Sequence, residues 1–480
     1  MYEKLTTSLK QAGLLSQLFD GNFGIEIEEH RVQTGRKSLS QHVHPVALGD
    51  RRVQPYFQTD FSESQEELVT APQSSIDKAL RNLRELENIL NEQLADDEVI
   101  WPLSMPPHLA PDDVTFLEEH FERYWYQDYR DVLLEHYGPY QHIMAGIHLN
   151  FSLPDSLIEW YEKEHHFSRA ADAKNEVYFQ IAQNVVAYRW LLTYLFGAAP
   201  ISENEGDTLP ANHADYEPVR SWRSSRFGFA NRDNIHVDFN SFDQHFAQLE
   251  KLLANKDLFA LSEYYGPVRF KGSDDYAGFK KNGTAYLEFR TFDLNPFADD
   301  GLDDKTMNIW HLLILDGLLS EKKWQPNELK KFDEWNEEVA LAHPDSPLSA
   351  EQKEAAQMLV QQLEGIVALA PADQTASLQG ALSYLKMAIA NPQETIAFYL
   401  SKEIRNDSLS DFAFARGKVV KAARDSEKID FSLPPAELWP SYVQALELGL
   451  RVAFKSDALV ITKGNQSWTI TENTDLNQLI

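Results

Sequence analysis

The run Gly24-Ile25-Glu26-Ile27-Glu28-Glu29-His30-Arg31-Val32 carries two glutamates one residue apart. In a strand alternate residues share a face, so Glu26 and Glu28 point one way while Ile25 and Ile27 point into a core. Two carboxylates on one wall suit a divalent cation, although Glu-X-Glu also arises in acidic chains with no metal role. The run Thr59 to Thr70 adds Asp60 and Glu67, read either as a solvated acidic face or as further oxygen donors around Mg²⁺, a hard cation that takes carboxylates, water and phosphate. Those residues read equally as a helix turn or as a loop feeding a strand. Ala145 to Ser152 alternates, with His148, Asn150 and Ser152 on one face. His148 reads as a hydrogen-bonded structural histidine or as a ligand, and an imidazole among carboxylates suits Mn²⁺ better than Mg²⁺. In Ala285 to Phe297, Glu288 and Arg290 share a face, either as an ion pair or as a cation ligand beside a planar fork that fits phosphate oxygens.

Positive charge is local in this chain. Acidic residues number 74 against 44 basic ones, a formal net charge of −30, so the long-range field repels nucleic acid and anionic lipid. An anionic substrate must therefore be met by clustered Arg or Lys or by metal. Arg220, Arg223 and Arg226 fall within seven residues, Arg269 and Lys271 follow a Gly-Pro turn, and Tyr129-Arg130 is a third candidate. The chain has no cysteine, which excludes disulfides, thiolate metal sites and a Cys nucleophile.

The elements that must position these residues follow from hydrophobic period. Apolar residues recur at three- and four-residue spacing over Ser75 to Glu92, Pro111 to His136, Tyr178 to Phe196, Ser241 to Leu253, Asp304 to Leu319 and most of Ser349 to Arg405, which predicts helices. Alternation predicts strands at Phe23 to Val32, His142 to Leu153 and Ala285 to Asp293. Separated strands among long helices favour an α+β fold. A polar stretch at Ser202 to Pro218 reads as a surface loop, and Arg451 to Ile470, with its Gly-Asn turn, reads as a small hairpin. The organisation expected is one large catalytic domain over residues 1–480, with a core at about 15–330, a helical part at about 331–450 and the hairpin within 451–480. The first ten residues lack a secretory pattern. The most apolar stretch, Asn184 to Pro200, is interrupted by Arg189 and falls short of the roughly 20 residues that span a bilayer. A cytoplasmic protein with no membrane partner is the expectation.

Taken in order, GNFGIEIEEHRV, HPVALGD, TDFSESQEELVT, GIHLNFSL, RSWRSSRFGF, YYGPVRFKG and YLEFRTFDLNPF, between Gly21 and Phe297, resemble the glutamate-cysteine ligase (γ-glutamylcysteine synthetase) family. The likeness is to the bacterial form and to the ligase half of bifunctional glutathione-synthesising proteins. The resemblance implies a fold similar to glutamine synthetase and guanidino kinases, with an antiparallel sheet walling a funnel-shaped site surrounded by helices. It implies metal ligands Glu26, Glu28, Asp60, Glu67, His148 and Glu288, and catalytic roles for Glu28 and Arg290. Arg290 and Arg269 would meet ATP, and Tyr129, Arg130 and Arg223 the amino-acid substrates. Phe61, Phe229 and Tyr265 would line the acceptor pocket. Phe229 stands where the family usually has Tyr, which keeps the ring and loses a hydroxyl. Glu29-His30 and Leu149 are further departures, none at an implied ligand.

The activity so implied is ATP-dependent ligation of the γ-carboxylate of L-glutamate to the amine of L-cysteine through a γ-glutamyl phosphate, the first step of glutathione synthesis, with Mg²⁺ or Mn²⁺. A carboxylate does not react with an amine unaided, and metals with Arg290 supply positioning and charge neutralisation rather than a covalent nucleophile. Two competing expectations are a γ-glutamyl ligase for another amine, suggested by Phe229, and a catalytically silent ligand-binding homologue.

Overall fold

The structure is a computed structural model that describes residues 2–59, 61–119, 127–204, 209–320, 322–427, 436–455 and 458–479. Its centre is an eight-stranded sheet. The strands are β1 (Asn22–Gln33), β2 (Ser38–Leu39), β3 (Phe57–Gln58), β4 (Gln65–Val69), β5 (Glu98–Trp101), β6 (Ile147–Ser152), β7 (Val268–Lys271) and β8 (Tyr286–Phe292). The order is β3-β4-β1-β6-β8-β7, with β2 and β5 also on β1, and every pairing is antiparallel. The α+β expectation holds.

Alternation divides this sheet into two unlike faces. Ile25, Ile27, Leu68, Leu149, Phe151, Leu287, Phe289, Val268 and Phe270 are buried on one side. Helix Asp304–Leu319 covers part of it, with Trp310 edge-on to Phe289 and Phe151. Helix Ala170–Ala187 covers another part, with the Phe179 ring stacked on Phe270 at 5.9 Å. Helix Ile76–Gln93 packs against β1 and β4. Burying these large apolar side chains contributes about 1.5–3 kcal/mol each, which pins the opposite face as the polar one.

Local signals set the helix starts. Ser75, Ser241 and Asp303 accept backbone N–H bonds from Lys78, Gln244 and Thr306, satisfying donors that a first helical turn leaves open. Two expectations are corrected and a third is extended. The helix over Tyr178 to Phe196 divides into Ala170–Ala187 and Arg189–Phe196 at Tyr188. The strand expected from His142 begins at Ile147 instead, because the backbone of 145–146 is engaged with Ser104 and Glu28. The C-terminal hairpin is a three-stranded sheet of β9 (Arg451–Lys455), β10 (Ala458–Lys463) and β11 (Gln466–Ile470). Gly464-Asn465 joins its last two strands, and two strands alone are marginal in water. No helix among the described residues is long and apolar enough to cross a membrane.

Candidate active site

The polar face gathers Glu26, Glu28, Glu67, His148, Glu288, Arg290 and Arg269. Across β1 and β4, Glu28 is directly opposite Glu67. Across β1 and β6, Glu26 is opposite His148. Across β6, β8 and β7, Glu288 is opposite Asn150 on one side and Arg269 on the other. Directly opposed residues bring their side chains within contact distance, so pairing register alone assembles the cluster.

Glu26, Glu67 and His148 each offer a ligand atom, and these atoms all lie within 4.8 Å of one another. His148 Nδ1 is 3.4 Å from Glu26 Oε2, and Nε2 is 3.9 Å from Glu28 Oε1. Asn150 Nδ2 donates to Glu26 Oε1 at 2.7 Å. Glu28 is buried and accepts a bond from Gly146 N–H at 2.9 Å. His148 Nε2 is buried with no hydrogen-bond partner, a costly state for a polar atom unless something fills the place. Carboxylate oxygens and an imidazole converging beside that orphaned nitrogen fit a divalent ion, with Mg²⁺ and Mn²⁺ both compatible with the donors. Asp60 lies outside the described residues.

Glu288 sits apart from that trio in a cationic nest. Lys271 Nζ is 2.5 Å from Glu288 Oε2, Arg290 Nη1 is 3.4 Å from Oε1, and Arg269 Nη1 is 3.8 Å from it. Burial pushes the carboxyl up, but Arg290, Arg269, His148 and Lys271 outweigh it and hold Glu288 far below the usual carboxylate range. Arg269 is anchored, since its guanidinium donates to the carbonyls of Tyr264 and Ser262. Lys271 was legible only as a base beside Arg269; its bond to Glu288 depends on β7 being the edge strand next to β8.

The remaining residues form an aromatic and cationic wall. The Phe229 ring lies 4.6 Å from that of Tyr265, with the guanidinium carbons of Arg290 and Arg223 at 5.2 and 5.7 Å from the Phe229 centroid. Arg223 Nη1 donates to Phe292 O at 3.0 Å, while Nε and Nη2 are buried without a hydrogen-bond partner. Arg130 is buried with its guanidinium 4.8 Å from the Phe61 centroid. Phe61 stacks on His142 at 4.8 Å, and His142 in turn meets Tyr137 and Tyr265. Composition offered no sign of His142 or Tyr137, because they enter through the end of helix Gln127–His142 rather than through a strand motif. Tyr129 stacks instead on Phe259, at 5.7 Å. A cavity of about 680 Å³ adjoins this wall, lined by Arg223, Phe229, Tyr265 and Arg290 and bordered by helices Arg189–Phe196 and Pro326–Ala340. It flanks the carboxylate trio rather than covering it.

A sheet with one apolar face on helices and one face of carboxylates, imidazole and arginines is chemically suited to binding anions and cations together. The bifunctional glutathione synthetase from Pasteurella multocida has this fold, with TM-score 0.85 and 27% sequence identity over 98% of this chain and 62% of that one. The glutamate–cysteine ligase from Francisella tularensis, solved in complex with AMP, shares the fold at TM-score 0.73 and 22% identity, covering 90% of this chain and 93% of that one. The glutamate-cysteine ligase family matches residues 6–259 and 253–339, and the chain belongs to this family. It is 37% identical over 418 residues to the glutathione biosynthesis bifunctional protein GshAB of Streptococcus thermophilus (strain CNRZ 1066), covering 85% of this chain and 53% of that protein. The GshAB of Streptococcus mutans serotype c is 34% identical over 404 residues, 84% of this chain and 52% of that protein. The chain spans about half the length of the curated relatives it matches.

Proposed function

We propose that this chain joins the γ-carboxylate of L-glutamate to the amine of L-cysteine, using ATP and passing through γ-glutamyl phosphate, the first reaction of glutathione synthesis. The observation that carries the reading is the cross-strand convergence of Glu26, Glu67 and His148 on the face that also bears Glu28, Glu288 and Arg290, in a chain of this family. The glutamate carboxylate attacks the γ-phosphorus and ADP leaves. The amine then attacks the acyl carbon, phosphate leaves with the C–O electron pair, and the amine nitrogen loses a proton.

The residues divide these tasks. Glu26, Glu28, Glu67 and His148 would hold the divalent ions, with Glu288 and Asp60 as further ligands. Bound Mg²⁺ or Mn²⁺ supplies neutralisation of the phosphates and of the carboxylate that approaches them. Arg290, with its fork beside Glu288, stabilises charge on the transferring phosphoryl group, and Arg269 stands behind it. Arg223, whose Nε and Nη2 have no hydrogen-bond partner, would meet the glutamate carboxylate. Phe61, Tyr265 and Phe229 form the acceptor wall, with Arg130 and Tyr129 at its margin. No side chain is needed as a covalent nucleophile, because the acyl phosphate is the activated species.

The test is mass identification of the product from glutamate, cysteine, ATP and Mg²⁺, with ADP release measured alongside. A γ-glutamylcysteine product with stoichiometric ADP is the expected result. ADP release with no amine would overturn ligation, and absence of ADP with every amine would favour a silent homologue. Phe229 supports a second reading, in which another amine is the acceptor, since its ring offers no hydroxyl to a polar acceptor group. Turnover with alanine or 2-aminobutyrate equal to that with cysteine supports that version.

A further inference from the structure

Of the three cations around Glu288, Lys271 alone combines close contact with freedom to leave. Arg269 is tied by its guanidinium to the Ser262 and Tyr264 carbonyls. Arg290 is buried, with its guanidinium 5.2 Å from the centroid of the Phe229 ring. Lys271 ends the edge strand β7, its side chain is 33% exposed, and Gly272 turns the chain away immediately after it with φ +117°. Its ammonium nevertheless holds the shortest contact to Glu288, at 2.5 Å. A lysine is a point charge on a flexible four-carbon stem and re-aims at little cost.

A lysine ammonium and a divalent ion on the same carboxylate repel each other, so the Lys271 contact to Glu288 Oε2 disfavours a metal ion there. Resting on the reading of the polar face given above, we infer that Lys271 is a placeholder cation. It neutralises Glu288 while no metal is bound, then yields that carboxylate to the ion and swings to the α- and β-phosphates of the nucleotide, which ADP also carries. The exchange keeps the buried carboxylate paired in both states, which matters because an uncompensated buried charge is strongly destabilising. It also delivers a mobile positive charge to an anionic substrate in a chain of net charge −30, in addition to the fixed charge of Arg290.

The test uses Lys271→Met, which keeps the stem and removes the charge, and Lys271→Arg as the charge-preserving control. Mn²⁺ binding to the full chain without nucleotide, read from the free-ion EPR signal, is expected to tighten about 3- to 10-fold in Lys271→Met, because a competitor for Glu288 is gone. ADP binding in the presence of Mg²⁺, read by calorimetry, is expected to weaken about tenfold in the same variant. Lys271→Arg is expected to stay near wild type in the first measurement and to recover most of the second. A purely structural lysine would move both affinities in one direction or neither, so opposite shifts are the signature. Unchanged or weaker Mn²⁺ binding in Lys271→Met overturns the placeholder, and unchanged ADP binding overturns the transfer to phosphate. Failure of the wild-type chain to take up Mn²⁺ overturns the metal reading itself, and the inference with it.

Discussion

Gly146 lies against the guanidinium of Arg223. A Cβ at position 146 would come 1.8 Å from Arg223 Nη2 and 2.2 Å from its Cζ. The same glycine exchanges two hydrogen bonds with Glu28, donating to its carboxylate at 2.9 Å and accepting its backbone N–H at 3.0 Å. One residue without a side chain therefore sets both a proposed substrate arginine and a proposed metal glutamate. Gly146→Ala is expected to lower kcat/KM for glutamate by about 10²-fold, the usual consequence of misplacing a reacting group by an ångström. Steady-state kinetics beside a thermal melt check it, since the overpacking itself should cost only about 1–3 kcal/mol.

Charge at the centre of the site is the second expectation. Glu28→Gln and Arg290→Ala are each expected to reduce ADP release about 10²- to 10³-fold, the typical loss of a preorganised electrostatic contact, while the circular dichroism spectrum stays that of the parent. Near-parental turnover in Glu28→Gln would remove it from the metal set.

Much of this face is legible as alternation alone. Glu26 with Glu28, His148 with Asn150, and Glu288 with Arg290 can each be put on one side of a strand without knowing which strands are neighbours. What alternation does not contain is register, and register decides that Glu26 meets His148 whereas Glu288 meets Lys271 and Arg269. Apart from the family resemblance, Arg223 was readable only as one of three clustered arginines. Its placement depends on the absent side chain of Gly146 and on a bond to the carbonyl of Phe292, both long-range. Helix starts were close because Ser75, Ser241 and Asp303 announce them locally, whereas the break at Tyr188 has no such marker.

Acid stability carries a third expectation. Burial on the apolar side of the sheet, against Phe19, Phe23 and Phe151, lowers the pKa of His311 to about 3. Between the ordinary histidine value near 6.5 and that depressed one, the unfolded chain takes up a proton that the folded chain refuses, so stability falls as pH falls through this window. From about pH 6.5 to pH 5 that amounts to about 2 kcal/mol for this residue. His311→Phe is expected to flatten the dependence by that amount, read from urea unfolding at the two pH values.

The helical C-terminal part is joined to the catalytic sheet by a buried charge, which yields a fourth expectation. Arg424 Nη1 is 2.7 Å from Glu87 Oε2, and Nη2 is 3.2 Å from Asp300 Oδ1. Arg424 thereby ties helix Ser410–Ser426 to helix Ile76–Gln93 beneath β1. Arg424→Ala strips this partner from a buried glutamate and is expected to cost about 3–5 kcal/mol. Chemical denaturation measures it, and a loss below 1 kcal/mol would mean the pair is not holding the two parts together.

The two unlike faces of the central sheet make its catalytic competence a matter of parity. Inserting one residue inside β4 or β6 would exchange inside for outside along the rest of that strand, turning Glu67 or His148 toward the helices and an isoleucine, leucine or phenylalanine toward solvent. Such a chain loses its core and its chemistry together, so length changes are tolerable in the connections and ruinous within these short strands.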